Sequence, residues 1–181
     1  MSKTSAVAAR ALTSNHFELF GLAPAFALDV ARLDAAYRDI QSKVHPDRHA
    51  HAGDAERRAS MQMTTQVNEA YRALKSPVLR AKYLLELNGV DVGFETNTSM
   101  PADFLMEQME IRERLDDARS VDALRLLEAS LSKMRRDVEA QIAQAVDGRN
   151  DFRGASDPVR KLMFLERFGE EIDAAYETLE S

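Results

Sequence analysis

The sequence predicts an all-α protein in two lobes, and three observations carry that expectation. Almost every periodic segment spaces its apolar residues as a helix does. No run alternates as a half-buried strand should. Periodicity vanishes from Val90 to Ser99 (VDVGFETNTS), where Gly, Asn and Thr gather between two helical groups, and the lobe boundary is placed there.

The elements follow in chain order. Residues 1–14 (MSKTSAVAARALTS) lack acids and read as a flexible leader, with a short transit peptide as the alternative. From Asp29, the residues Val30, Leu33, Tyr37, Ile40 and Val44 form one helical stripe. It stops at Val44-His45-Pro46, because the residue before a proline is pushed out of the α region. The stretch His49–Asp54 (HAHAGD) is polar and loop-like, and a second stripe then runs through Met63, Val67, Ala70 and Leu74, with Tyr71 beside it. Ser76-Pro77 supplies an N-cap and a first-turn proline for a helix from Val78 to Leu87, which Asn88-Gly89 ends.

Beyond the boundary, Pro101 opens a helix reaching to about Ala118. A long helix from Ser120 follows, with Leu124, Leu127, Leu131, Met134, Val138, Ile142 and Ala145 on one face, until Asp147-Gly148-Arg149-Asn150 breaks it. Ser156-Asp157-Pro158 caps a last helix whose stripe is Leu162, Leu165, Gly169, Ile172, Tyr176 and Leu179. Three helices on short connections predict an antiparallel bundle.

Bulk properties exclude several functions. The 181 residues carry a net charge of −6, which argues against a mainly electrostatic grip on nucleic acid or an anionic membrane. With no Cys, the chain by itself builds no disulfide, thiolate nucleophile or Cys-ligated metal centre. No apolar run approaches the roughly 18 residues of a membrane span. Gly-rich phosphate loop, nucleophile elbow and His-Glu-x-x-His helix are all missing from the sequence, so no catalytic residue is assigned and no enzyme is expected.

Two constellations remain. The first is His45-Pro46-Asp47 between the first two stripes. On its own it is a proline stop with polar neighbours. Together with Asn15-His16-Phe17-Glu18-Leu19-Phe20-Gly21-Leu22 before it, Asn68-Glu69-Ala70-Tyr71-Arg72-Ala73-Leu74 after it, and then Pro77, Arg80, Ala81 and Tyr83, the ordered set resembles the J domain of DnaJ-type co-chaperones over about residues 15–88. That resemblance implies a helical hairpin whose HPD loop and preceding polar helix face engage a DnaK-type ATPase and promote its ATP hydrolysis. By position it assigns chaperone contact to His45, Pro46 and Asp47, with Arg48 where many members have Lys, and it makes Arg32, Arg38 and Lys43 candidate positive contacts. Asp47 would offer a carboxylate to a partner Arg. His45, His49 and His51 also raise a metal site, but their spacing is loose and no acidic or thiol ligand set accompanies them, so no metal or cofactor is expected.

The second constellation is on the helix after Pro101. Phe104, Ile111 and Leu115, with Gln108 in register, form an inward stripe. Met106, Met109, Glu110 and Glu113, with Leu105 adjoining, occupy another face, which reads either as a protein-binding surface or as a broad buried face. Phe164 lies roughly 100° off the stripe of the last helix, so it either reaches the other lobe or sits at the surface as an anchor. Phe104-Leu105-Met106-Glu107-Gln108-Met109-Glu110 with Arg112-Glu113, and Val159-Arg160-Lys161-Leu162-Met163-Phe164-Leu165, resemble the C-terminal domain of the HscB family of iron–sulfur J-proteins. Position by position, the resemblance implies that Leu105, Met106, Met109, Glu110, Glu113 and Phe164 bind an IscU-type scaffold, which is delivered to an HscA-type chaperone. Met109 stands where that family is expected to have Leu, an apolar swap of similar volume.

The expected organisation is thus a leader (1–14), a J domain (15–89), a linker (90–100) and a three-helix client-binding domain (101–181). A bacterial, cytoplasmic member is favoured over a mitochondrial one, since a Cys-bearing N-terminal extension is missing. The rival readings are a J-protein that serves a general DnaK-type chaperone with a different client, and a metal-dependent hydrolase built on the histidines.

Overall fold

The structure is a computed structural model that describes residues 15–44, 53–92 and 101–179. His45, Pro46, Asp47, Arg48, His49 and His51 lie outside the described residues, as do the leader and most of the linker. Among the described residues there are seven helices and no strand. They divide into two compact units, Met1–Tyr83 and Leu84–Ser181.

Local chemistry sets each element of the first unit. In α1 (His16–Leu19) the Asn15 side chain accepts the Glu18 N–H at 3.0 Å, capping the start. Its end is a Schellman motif. Gly21 takes φ +64°, the Leu22 N–H reaches the Phe17 carbonyl at 2.9 Å, and the Gly21 N–H reaches Glu18 at 3.1 Å. Asp29 caps α2 (Val30–Val44) through the Arg32 N–H at 3.1 Å. Of the sequence stripe on α2, Leu33 and Val44 are buried, Tyr37 and Ile40 half-buried, and Val30 exposed.

α3 (Asp54–Lys75) packs on both α1 and α2, burying Met63, Val67, Ala70 and Leu74 as the stripe predicts. Its first six residues, 54–59, are exposed and hold only charged residues and alanine, so no apolar period announced them. Ser76 ends α3 and caps α4 (Pro77–Leu87), accepting the Leu79 N–H at 3.2 Å. Arg80 of α4 is buried; its guanidinium donates to the Leu74 carbonyl at 2.6 Å and stacks over the Phe26 ring at 5.2 Å. It thereby satisfies one of the carbonyls that the end of α3 leaves open. A second Schellman motif closes α4, with Gly89 at φ +70° and the Val90 N–H on Leu85 at 2.9 Å.

Besides the end of α4 from Leu84, the second unit holds a three-helix bundle of α5 (Ala102–Asp116), α6 (Val121–Ala143) and α7 (Ser156–Leu179). The Ser120 side chain caps α6 through the Ala123 N–H at 3.2 Å. Leu124, Leu127, Leu131, Val138 and Ile142 are buried along it, while Met134 is half-buried. At its end the helix widens into a π turn, Gln144–Gly148, that buries Ala145 and Val146 side by side. Asn150 then adopts φ +52°, a conformation that Asn tolerates better than most residues. The last helix starts at Ser156 itself and not after it, with the Ala155 carbonyl accepting the Val159 N–H at 2.9 Å. Where α6 meets α7, Gly169 faces Leu131.

Candidate functional site

Two networks brace the hairpin of α2 and α3, between which His45-Pro46-Asp47 lies in the sequence. At its tip, Val44 is buried and its carbonyl, in the last turn of α2, accepts the Ser60 hydroxyl at 2.7 Å and the Thr64 hydroxyl at 3.2 Å. The last carbonyls of a helix lack donors within the helix, so an acceptor in the last turn of α2 takes its partners from elsewhere. The hydroxyls supply that acceptor with donors from across the hairpin.

Further along the hairpin, Tyr37 stacks on Tyr71 with ring centroids 4.0 Å apart. The Tyr37 hydroxyl and the Gln41 amide both donate to the Asn68 side-chain oxygen, at 3.0 and 2.6 Å. Tyr71 donates to Asp34 at 2.9 Å, and Lys75 donates to both oxygens of that carboxylate at 2.7 and 2.8 Å. The Lys75 bond, then the Tyr71 bond, hold the Asp34 carboxyl below its ordinary range. Asn68 and Tyr71 belong to the motif quoted from the sequence, and the structure shows what they do. They lock the register of the two helices that flank the loop. Ser60 and Thr64 gave no such signal, because a hydroxyl inside a polar stretch has no period to betray it.

The predicted basic residues on α2 do not form one row. Arg38 is exposed on the flank of Asp34, and that carboxylate feels its charge. Arg32 and Lys43 lie some 120–140° around the helix from it, at about 100° per residue. Lys43 pairs with Asp39 at 2.7 Å, one turn back on the same surface.

On α5 the structure leaves the second face outside the core of the bundle. Phe104 and Ile111 are buried, and Gln108 and Leu115 half-buried, as the inward stripe requires. Leu105, Met106 and Met109 are 45%, 63% and 63% exposed, and Glu110 and Glu113 are exposed beside them. These five share one outward arc. Met106 and Glu110 also line an open groove of about 620 Å³ between α5 and the start of α7, with Phe104 and Lys161 in its wall.

Phe164 is half-buried. Its ring meets Phe104 edge-on at 5.4 Å and Phe168 at 5.7 Å, so it is joined to α5 through Phe104 within this unit. Beside that ring pair, Lys161 donates to Glu107 at 2.5 Å and sits 5.1 Å over the Phe104 ring. Among the described residues no group of three or more His, Cys, Asp or Glu is placed to hold a metal ion. No helix among them is long and apolar enough to cross a membrane.

Known proteins match this arrangement unit by unit. A DnaJ domain matches residues 15–83, and an HSCB C-terminal oligomerisation domain matches residues 100–173. Over 172 residues the chain is 53% identical to the Co-chaperone protein HscB homolog of Burkholderia mallei, covering 93% of this chain and 98% of that one. The chain belongs to the HscB family. Its fold is similar to that of chaperone HscB from Vibrio cholerae, with a TM-score of 0.81, 35% identity and coverage of 92% and 99% of the two chains. The human co-chaperone HscB crystal structure gives a TM-score of 0.86 at 30% identity, covering 90% of this chain and 82% of the human one. In this HscB member, the DnaJ match contains the braced hairpin, and the HSCB match contains the exposed arc on α5 together with Phe164.

Proposed function

We propose that this chain is an adaptor in iron–sulfur cluster biogenesis, presenting an IscU-type scaffold to an HscA-type ATPase and stimulating that ATPase. The observation that carries the client half is the outward arc of Leu105, Met106 and Met109, edged by Glu110 and Glu113. Large, flexible apolar side chains left in water beside carboxylates suit a partner with apolar residues ringed by basic ones. Phe164, set against Phe104, is the anchor contributed by α7. Burying such residues at the centre of an interface contributes on the order of 1–3 kcal/mol each.

The chaperone half rests on His45-Pro46-Asp47 and Arg48 within the DnaJ match, with Arg38 and Lys43 on the preceding helix. Asp47 pairs with a partner arginine, a directional charge-assisted contact, and Pro46 fixes the loop through its φ. No side chain of the adaptor performs chemistry; hydrolysis belongs to the ATPase. Tethering client and trigger in one chain raises the effective concentration of the client beside the chaperone. The protein works where both partners reside, in the bacterial cytoplasm on this reading.

The test is a steady-state ATPase assay on an HscA-type chaperone with the adaptor, the scaffold, or both. Synergy is expected. Asp47→Asn should abolish stimulation with helical CD unchanged, and a Leu105/Met106/Met109 triple Ala variant should abolish only the synergy. Stimulation that is equal with and without scaffold would refute the client assignment and favour a general DnaK-type partner with another client.

A further inference from the structure

α5 is weakly seated for a helix that carries a binding surface. Of its fifteen residues only Phe104 and Ile111 are fully buried, whereas α7 buries Val159, Arg160, Leu162, Leu165, Phe168 and Ile172. Two apolar plugs fix the distance of a helix from its neighbours better than its rotation or its sliding. One polar tie crosses to α7. The Lys161 ammonium donates to Glu107, both side chains about a third exposed (29% and 35%), fifty-four residues apart in sequence. The same ammonium lies over the Phe104 ring, whose edge in turn meets Phe164.

We infer that Glu107 and Lys161 are positioning residues, a latch that sets the rotation of α5 and so holds the Leu105–Met106–Met109 arc in register with Phe164. Glu107 lies about 100° around α5 from Met106 and about 160° from Leu105, so it faces α7 while the arc faces solvent. Losing the pair frees α5 to roll on Phe104 and Ile111. The client surface then becomes an ensemble of arcs, of which a fraction is competent to bind, and apparent affinity falls by that fraction. The inference rests on the scaffold-binding reading above, but its structural half does not need a client.

The experiment uses the full chain and four variants: Glu107→Gln, Lys161→Met, the double variant, and the exchange of Glu107→Lys with Lys161→Glu. Two quantities are measured, affinity for a purified IscU-type scaffold by calorimetry and amide hydrogen exchange resolved over α5. Each single variant should weaken binding about three- to fivefold, as for loss of a partly exposed ion pair. Each should also speed exchange in α5 while leaving α6 and α7 protected. The double variant should be no worse than either single one, and the charge exchange should restore both readouts to within about twofold. Unchanged exchange in α5 on losing either charge overturns the latch. So does weakened binding that the charge exchange does not restore, because that pattern means direct contact with the client. If the wild type binds no scaffold, the client reading fails and the exchange data alone decide the latch.

Discussion

Replacing Ser60 and Thr64 together should cost more than the sum of replacing each. The Val44 carbonyl is buried at the end of α2 and accepts both hydroxyls, Ser60 at 2.7 Å and Thr64 at 3.2 Å. Thr64 divides its single proton between Val44 and the Ser60 carbonyl, 2.9 Å away, so its share at Val44 is the smaller. Ser60→Ala removes one neutral hydrogen bond, about 1 kcal/mol, and leaves Thr64 free to turn wholly onto Val44. Thr64→Val is nearly isosteric and costs about 0.5–1 kcal/mol for the same reason. The double variant strips both donors from a buried carbonyl, whose desolvation adds about 1–2 kcal/mol beyond the sum. The assay is urea unfolding followed by near-UV CD, since Tyr37, Tyr71 and Tyr83, three of the four tyrosines, lie in the first unit. Costs that add to within about 0.5 kcal/mol would refute the shared-acceptor argument.

Other outcomes follow from the same structure. Gly169→Ala should raise thermal stability by about 0.5–1 kcal/mol, since glycine inside a helix is costly and the new Cβ would sit 3.9 Å from Leu131, an ordinary contact; a lower melting temperature would show that α6 and α7 are tighter there than the distance says. Burial against Tyr83, the rings 4.1 Å apart, pushes the His16 pKa below 6.5, and Glu69 only partly opposes it. A depressed value means the unfolded chain binds the proton more readily, so the stability His16 contributes is present above about pH 6.5 and is lost as pH falls through the folded-state value. His16→Phe keeps the stacking and should flatten unfolding stability between pH 7 and 5; an unchanged slope would assign the dependence to other groups. The Leu105/Met106/Met109 triple Ala variant should melt within about 2 °C of the wild type, because those residues are already 45–63% exposed; a drop of many degrees would mean the arc packs on the protein itself.

What the sequence made legible was whatever depends on near neighbours. Ser76-Pro77 and Asn88-Gly89 act within one turn, and both ends form where the residues place them. The stripes of α3 and, apart from half-buried Met134, of α6 are buried as periodicity requires, because one helix face needs no knowledge of its partner. What stayed hidden depends on contacts distant in sequence. The π turn at Gln144–Gly148 answers to packing of Ala145 and Val146, and no local spelling announces it. The Ser60–Val44 bond spans sixteen residues and the Lys161–Glu107 bond fifty-four. Phe164 was legible as off-stripe, but only the Phe104 ring says where an off-stripe phenylalanine goes.

The arc on α5 shows why clustering, and not exposure alone, singles out a surface. Leu126 on α6 is 71% exposed, more than Leu105, Met106 or Met109, and yet it suggests nothing, because isolated apolar side chains are common on protein surfaces. Leu105, Met106 and Met109 differ by lying together on one helix whose opposite face is already spent on Phe104 and Ile111. Rotating α5 to bury them would expose those two and break the Lys161–Glu107 tie, so the fold has no cheaper arrangement of its own that hides the arc. Fully burying such a side chain is worth about 1.5–3 kcal/mol, and with 45–63% of each still exposed roughly 1–2 kcal/mol of that remains per residue. That free energy is unrealised in the isolated chain, and under the proposed function a partner carrying a matching apolar face would release it.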